Sequence, residues 1–175
     1  VAEGLNVVAT GRKFLFFVLL AGVGAFVAAL TPARAGTASG SILVRDALAT
    51  PPIETVVSAE QLEALQPHAI VTRTEFTDGE IRFEGPLVTD LLKLVGNRGW
   101  TLARLTAAND YAIDIPITDF QAYGVILARR MDGRELSRRD KGPHWLMYPL
   151  DDFEELQDPV YNNRLIWQVV KIELR

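Results

Sequence analysis

Turn residues interrupt this chain too often for long helices or long strands. Breaks stand at Pro51-Pro52, Pro67, Asp78-Gly79, Gly85-Pro86, Gly96, Ala108-Asn109-Asp110, Asp132-Gly133, Lys141-Gly142-Pro143 and Pro149, all of them combinations that fix a turn by φ restriction or by positive φ. Only short elements fit between them. Ser41 to Arg45 reads as a short edge strand, and Ser58 with Gln61 has the spacing of a capping box that opens a helix through Leu65. His68 to Phe76 alternates as a strand, and Asp78-Gly79 turns it into a hairpin with Glu80 to Phe83. Pro86 suits a first helical turn, followed by Leu87, Leu91, Leu92, Leu94 and Val95 on one side of a helix that stops at Gly96.

Thr101 to Ala107 and Tyr111 to Ile117 both show period-two patterning and read as adjacent strands. Thr118 to Tyr123 reads as one helical turn capped by Thr118, and Gly124 to Arg130 as a central strand rich in Val, Ile and Leu. His144 to Tyr148 is a further strand, the acidic stretch Asp151 to Asp158 a solvated loop or short helix, and Arg164 to Leu174 the last strand. Short strands with a few short helices indicate an α+β fold, a β-rich mixed sheet or open barrel.

Ahead of this domain, Arg12 and Lys13 precede an uncharged run from Phe14 to Leu30, and Ala33-Arg34-Ala35 has the small-x-small form that signal peptidase cuts. The expectation is a signal peptide over residues 1–35, a domain over 36–175 and a periplasmic address, with no membrane contact once the leader is cut. An uncleaved anchor is the competing reading, since about 17 to 25 apolar residues span a bilayer. Pro32 and the small residues after it favour cleavage.

Of the 18 basic and 22 acidic side chains, Arg12, Lys13, Arg34 and Glu3 lie in that leader, which leaves 15 against 21 and a net charge of −6. A domain of that sign is not expected to bind nucleic acid, whose phosphates need a basic face. The chain has no cysteine and two histidines, His68 and His144, not at ligand spacing. Protein thiolate sites and iron–sulfur clusters are thereby excluded, and no metal site is expected.

Few residues are placed for chemistry. Asn109-Asp110-Tyr111 puts a phenol at the mouth of a strand, where it can donate a hydrogen bond or a proton into a cleft or simply cap the core. Asp90, Asp110 and Asp114 are isolated carboxylates, so a two-carboxylate hydrolase has no support. Arg129-Arg130, Arg138-Arg139 and Lys141 flank the Asp132-Gly133 turn and form either an anion site or a solvated hairpin face. Tyr161-Asn162-Asn163-Arg164 reads as a bulged entry to the last strand. Arg164, beside Trp145, Tyr148 or Trp167, can close a pocket by stacking or hydrogen bonding.

Taken in order, these pieces resemble a known family. Phe83-Glu84-Gly85-Pro86-Leu87-Val88-Thr89-Asp90-Leu91-Leu92 is similar to the Gly-x-x-Leu segment of the molybdopterin-binding domain of sulfite oxidases and related oxidoreductases. Asn109-Asp110-Tyr111 with Ile115-Pro116 resembles that domain's Asp-Gly-Tyr and Ile-Pro segment. Ile126-Leu127-Ala128, Met131-Asp132-Gly133 and Leu136 resemble its hairpin, Asp140-Lys141-Gly142-Pro143 to Pro149 the element that follows, and Ile166-Trp167 with Ile172-Glu173-Leu174 its ending.

The resemblance covers Ile70 to Leu174 and implies a mixed α+β fold holding molybdenum through a pterin dithiolene and one cysteine thiolate. Where that thiolate belongs, this chain has Arg73-Thr74-Glu75-Phe76-Thr77, and neither Thr nor Glu replaces a soft ligand. Trp145 stands near the family's phosphate-facing arginine and Ile166 at its lysine, whereas Tyr111 coincides with the tyrosine facing the metal-bound oxygen.

Three readings follow. The first is a periplasmic binding or accessory module without resident cofactor, whose cleft (Asn109, Asp110, Tyr111, His144, Trp145, Arg164) takes a small molecule or an envelope-protein partner. The second is an oxidoreductase that binds a molybdenum or tungsten pterin without a protein thiolate, with Tyr111 as catalytic donor. The third is a structural partner of an envelope sensor, reading through strand edges.

Overall fold

The computed structural model of the chain describes residues 40–175. The expected signal peptide lies outside them, and no helix among the described residues is long and apolar enough to cross a membrane.

Strand β1 (Ile42–Asp46) is followed by β2 (Ile53–Val57), α1 (Ala59–Ala64), β3 (Pro67–Arg73), β4 (Glu80–Pro86) and α2 (Val88–Val95). Next come β5 (Leu102–Ala107), β6 (Ala112–Pro116), α3 (Ile117–Tyr123), β7 (Ile126–Ala128), β8 (Arg130–Met131) and β9 (Arg134–Glu135). Strand β10 (Trp145–Met147), two short 3₁₀ turns (Leu150–Asp152 and Glu154–Gln157), α4 (Pro159–Arg164) and β11 (Val169–Leu174) complete the chain. The strands form a five-stranded sheet in the order β2-β1-β11-β5-β6, a four-stranded sheet β3-β4-β8-β9 and the pair β10-β7. Only β1 and β11 run parallel among these ladders, so the large sheet is mixed. The domain is α+β and mostly strand, as expected, but it closes no barrel.

Period-two patterning decides which face of the large sheet is dry. Ile42, Val44, Ala103, Leu105, Ile115, Ile172 and Leu174 point into the core and are all buried. The opposite face carries Glu54, Arg45, Glu173, Arg104 and Asp114 in register on five successive strands, with signs alternating from one edge to the other. Arg45 lies 3.8 Å from Glu173 and Arg104 3.3 Å from Asp114. Such exposed pairs are each worth about 1 kcal/mol or less; the register is held instead by the period of two, because a one-residue slip would turn these charges onto the core face.

Five local expectations are corrected. Strand β1 is not an edge: β2 lies on its other side, since the β-branched Ile53, Thr55 and Val57 resume a strand directly after the prolines. Pro86 does not open α2 but ends β4, paired with Pro67, where neither residue needs to donate to the ladder. Helix α3 starts one residue before Thr118, with Pro116 rather than Thr118 at its N-cap. The run from Gly124 to Arg130 is not one strand, because the chain leaves β10 after Ala128 and pairs with β4 from Arg130. That bend seats β7 against Gly85, where a Cβ would lie 2.0 Å from the Leu127 carbonyl oxygen. Arg164 ends a helix instead of starting a strand: the Asp158 side chain accepts from the Val160 amide at 2.9 Å and Pro159 fills the first turn.

Candidate functional site

The connection from β5 to β6 is held from within. The Asn109 side-chain oxygen accepts from the Tyr111 amide at 3.2 Å, Asp110 adopts φ +66°, and the Ala107 amide donates to the Tyr111 carbonyl at 2.8 Å. This tight turn leaves Tyr111 46 % exposed, just ahead of β6. Its hydroxyl donates to the Asn163 carbonyl, 3.3 Å away in the last turn of α4.

Opposite stands the loop between β3 and β4, closed by the Thr74 and Thr77 hydroxyls 2.9 Å apart and by the Phe76 amide donating to Thr74 Oγ1 at 3.1 Å. These bonds aim the Phe76 ring edge-on at Trp167, with centroids 5.2 Å apart. Between this loop, the Tyr111 turn and residues 162–167 lies a cavity of about 240 Å³, lined by Phe76, Asn109, Tyr111, Asn162, Asn163 and Trp167 over an aliphatic floor of Ala107, Leu165 and Ile166. That is the room of about eight waters.

Of the six residues expected around one cleft, the structure brings Asn109 and Tyr111 to this cavity. Asp110 supplies the turn and faces solvent. Trp145 is 1 % exposed; its indole N–H donates to the Leu165 carbonyl at 2.9 Å, and its ring packs edge-on against Phe83 and Trp167 as part of the core. His144 is fully buried, with Nε2 2.8 Å from the Gly40 carbonyl and Nδ1 without a hydrogen-bond partner. Burial pushes its pKa down to about 4, so the ring is neutral and donates to Gly40.

Arg164 turns away from the cavity. It pairs with the buried Asp119 carboxylate, which also accepts from the Tyr148 hydroxyl at 2.9 Å, and its guanidinium lies 4.7 Å from the Tyr161 ring centroid. Burial, then the Asp119 charge, raise the pKa of the Tyr148 phenol, keeping it a donor.

The basic residues around the Asp132-Gly133 turn do not converge either. Arg129 and Arg130 both pair with Glu63, while the Lys141 ammonium sits 5.0 Å from the Trp145 ring centroid and donates to the Phe76 carbonyl at 3.4 Å. Phe76, Asn162, Asn163 and Trp167 are the polar and aromatic lining residues absent from the expected cleft. The Asp158-Pro159 pair was the available signal for two of them, since a helix starting there carries both asparagines onto its last turn.

No protein-family model matches the chain, and no curated protein matches it in sequence. Among solved structures, the fold is similar to that of the sulfane dehydrogenase SoxCD from Paracoccus pantotrophus, with a TM-score of 0.55 and 15 % identity over 77 % of this chain. The matched part is 37 % of that protein's chain, so this chain spans well under half of its length. A likeness at this identity establishes architecture alone. What is shared is the α+β arrangement of the matched part.

The cofactor implied by that fold can be tested against the residues present. None of the described residues lining the cavity is a carboxylate, imidazole, sulfur or cation, and among the described residues no group of three or more potential ligands is close enough to hold a metal ion. The Thr74 and Thr77 hydroxyls are committed to each other, and Phe76 projects into the cavity from the segment where the resemblance puts the thiolate. A soft metal centre on an anionic pterin needs sulfur and cations. The residues do not fit the group.

Proposed function

We propose that this chain is a non-catalytic binding module, a sulfite-oxidase-like domain whose cavity beneath Tyr111 takes a small molecule. One observation carries the reading: the loop expected to deliver a metal ligand delivers the Phe76 ring instead, to a cavity bounded by Tyr111 and Trp167. A retained architecture with altered site chemistry is a common outcome, since function resides in the site and not in the fold. The leader composition supports export, with the mature protein starting at Gly36 in the periplasm.

Thermal denaturation across a small-molecule panel tests the proposal. A ligand at 100 times its Kd adds about 2.7 kcal/mol of stability, and Asn163→Trp, at the exposed rim, should block that gain while leaving the free protein nearly as stable. Stabilisation that persists in this variant would place the ligand elsewhere.

A second reading, a structural partner of an envelope protein, is favoured by the β2 edge. Leu48, Ile53 and Val56 are each about half exposed there, beside a strand paired on one side only. Val56→Lys should abolish co-purification of such a partner without affecting the cavity.

A further inference from the structure

We propose that the cavity beneath Tyr111 selects an uncharged, flat ring that carries an amide or lactam edge; this rests on the ligand-binding reading above and narrows it. Three features of the lining lead there.

The first is the absence of charge. No Lys, Arg, His, Asp or Glu lines the cavity among the described residues. Two cations beside lining residues are both engaged: Lys141 over Trp145 and Trp167 and on the Phe76 carbonyl, Arg164 on Asp119 and Tyr161. An anion entering here would lose hydration without gaining a counter-charge, and a cation would meet the Lys141 ammonium already standing 5.9 Å from the centroid of the Trp167 wall.

The second is shape and surface. Phe76, Tyr111 and Trp167 supply aromatic walls, and Ala107, Leu165 and Ile166 an aliphatic floor. About 240 Å³ suits one or two fused rings, below the roughly 300 Å³ at which drug-sized sites begin. A sugar, with hydroxyls on every edge, would leave most of them facing apolar wall.

The third is where the polar groups stand. Asn109, Asn162 and Asn163 line the same cavity. The Asn109 oxygen is taken by the Tyr111 amide, so its NH₂ is the free donor. The side chains of Asn162 and Asn163 make no hydrogen bond within the described residues, which leaves two complete amides, each a donor beside an acceptor. The partner that satisfies such a group in one plane is another amide or a lactam, through two parallel hydrogen bonds. A ligand with an apolar ring and one such edge matches both halves of the lining.

The test is a titration of the full domain, followed by ¹⁵N-edited NMR, with three probes of nearly one shape: benzamide, benzoate and toluene. Benzamide should shift the Asn162 and Asn163 side-chain NH₂ signals and the Trp167 indole signal, and bind roughly tenfold more tightly than either other probe, the gain of two net hydrogen bonds. Asn162→Ala and Asn163→Ala should each bring benzamide towards toluene, with toluene itself unchanged. Benzoate binding as tightly as benzamide would overturn the claim of a neutral site, and toluene doing so would overturn the amide edge. Failure of all three probes to shift any cavity residue would instead remove the ligand-binding reading itself.

Discussion

Asp119 serves two partners through one carboxylate oxygen, the Tyr148 hydroxyl and the Arg164 guanidinium, in a place where all three are largely out of water. Removing one member of such a group leaves another desolvated and unpaired. Asp119→Asn should therefore cost roughly 3 kcal/mol, read from the urea midpoint, whereas the paired replacement Asp119→Leu with Arg164→Met should recover most of it. A loss below about 0.5 kcal/mol in the single variant would show the pair to be idle. Tyr111→Phe should change stability by no more than about 0.5 kcal/mol, because the lost bond is long and exposed. The contrast shows what a sequence reveals at this scale. The exposure of Tyr111 follows from its own neighbours Asn109 and Asp110, while the orientation of Arg164 depends on Asp119, 45 positions away.

Among the elements, the bend between β7 and β8 depends on one glycine. Gly85 in β4 lets the Leu127 carbonyl approach to where a side chain would be, and the backbone atoms at that contact cannot swing aside. Gly85→Ala should cost about 3 kcal/mol or prevent folding. Gly79→Ala, at φ +70° in a turn with open space around it, should cost only about 1 kcal/mol. Comparable losses in urea denaturation would refute the close approach as the reason for the bend. Elements bounded by their own signals were legible: α1 from its capping box, β5 and β6 from alternation, and the β8–β9 turn from Asp132-Gly133. The division of Gly124 to Arg130 was not, because no turn residue stands between Val125 and Arg130 and the break is set by pairing, with β10 up to Ala128 and with β4 from Arg130. The cavity was half legible for the same reason: the Tyr111 wall is local, whereas the Phe76 wall is brought by a loop distant in sequence.

For the whole molecule, His144 joins the start of β1 to the core through the Gly40 carbonyl. Its folded pKa lies near 4, against an ordinary value of 6.5. Because the unfolded chain binds the proton more readily, stability is complete above pH 6.5 and falls as pH drops towards 4, by about 1.4 kcal/mol per pH unit and about 3 kcal/mol in all. Glu63, held low by Arg130 and Arg129, and Glu173, held low by Arg175, act later, since their contributions disappear only below the ordinary carboxylate range. Urea midpoints measured from pH 7.5 to 4 should show the first decline, and His144→Gln should flatten it. A wild-type midpoint constant over that interval would refute the neutral buried imidazole.

The central proposal is that a fold similar to part of SoxCD here encloses a ligand cavity in place of a metal centre. It is tested most directly by elemental analysis of the protein purified from its native source, with bound pterin assayed on the same sample. The account predicts molybdenum and tungsten far below one equivalent and no released pterin. Close to one equivalent of either metal, with turnover that rises and falls with occupancy, would contradict it.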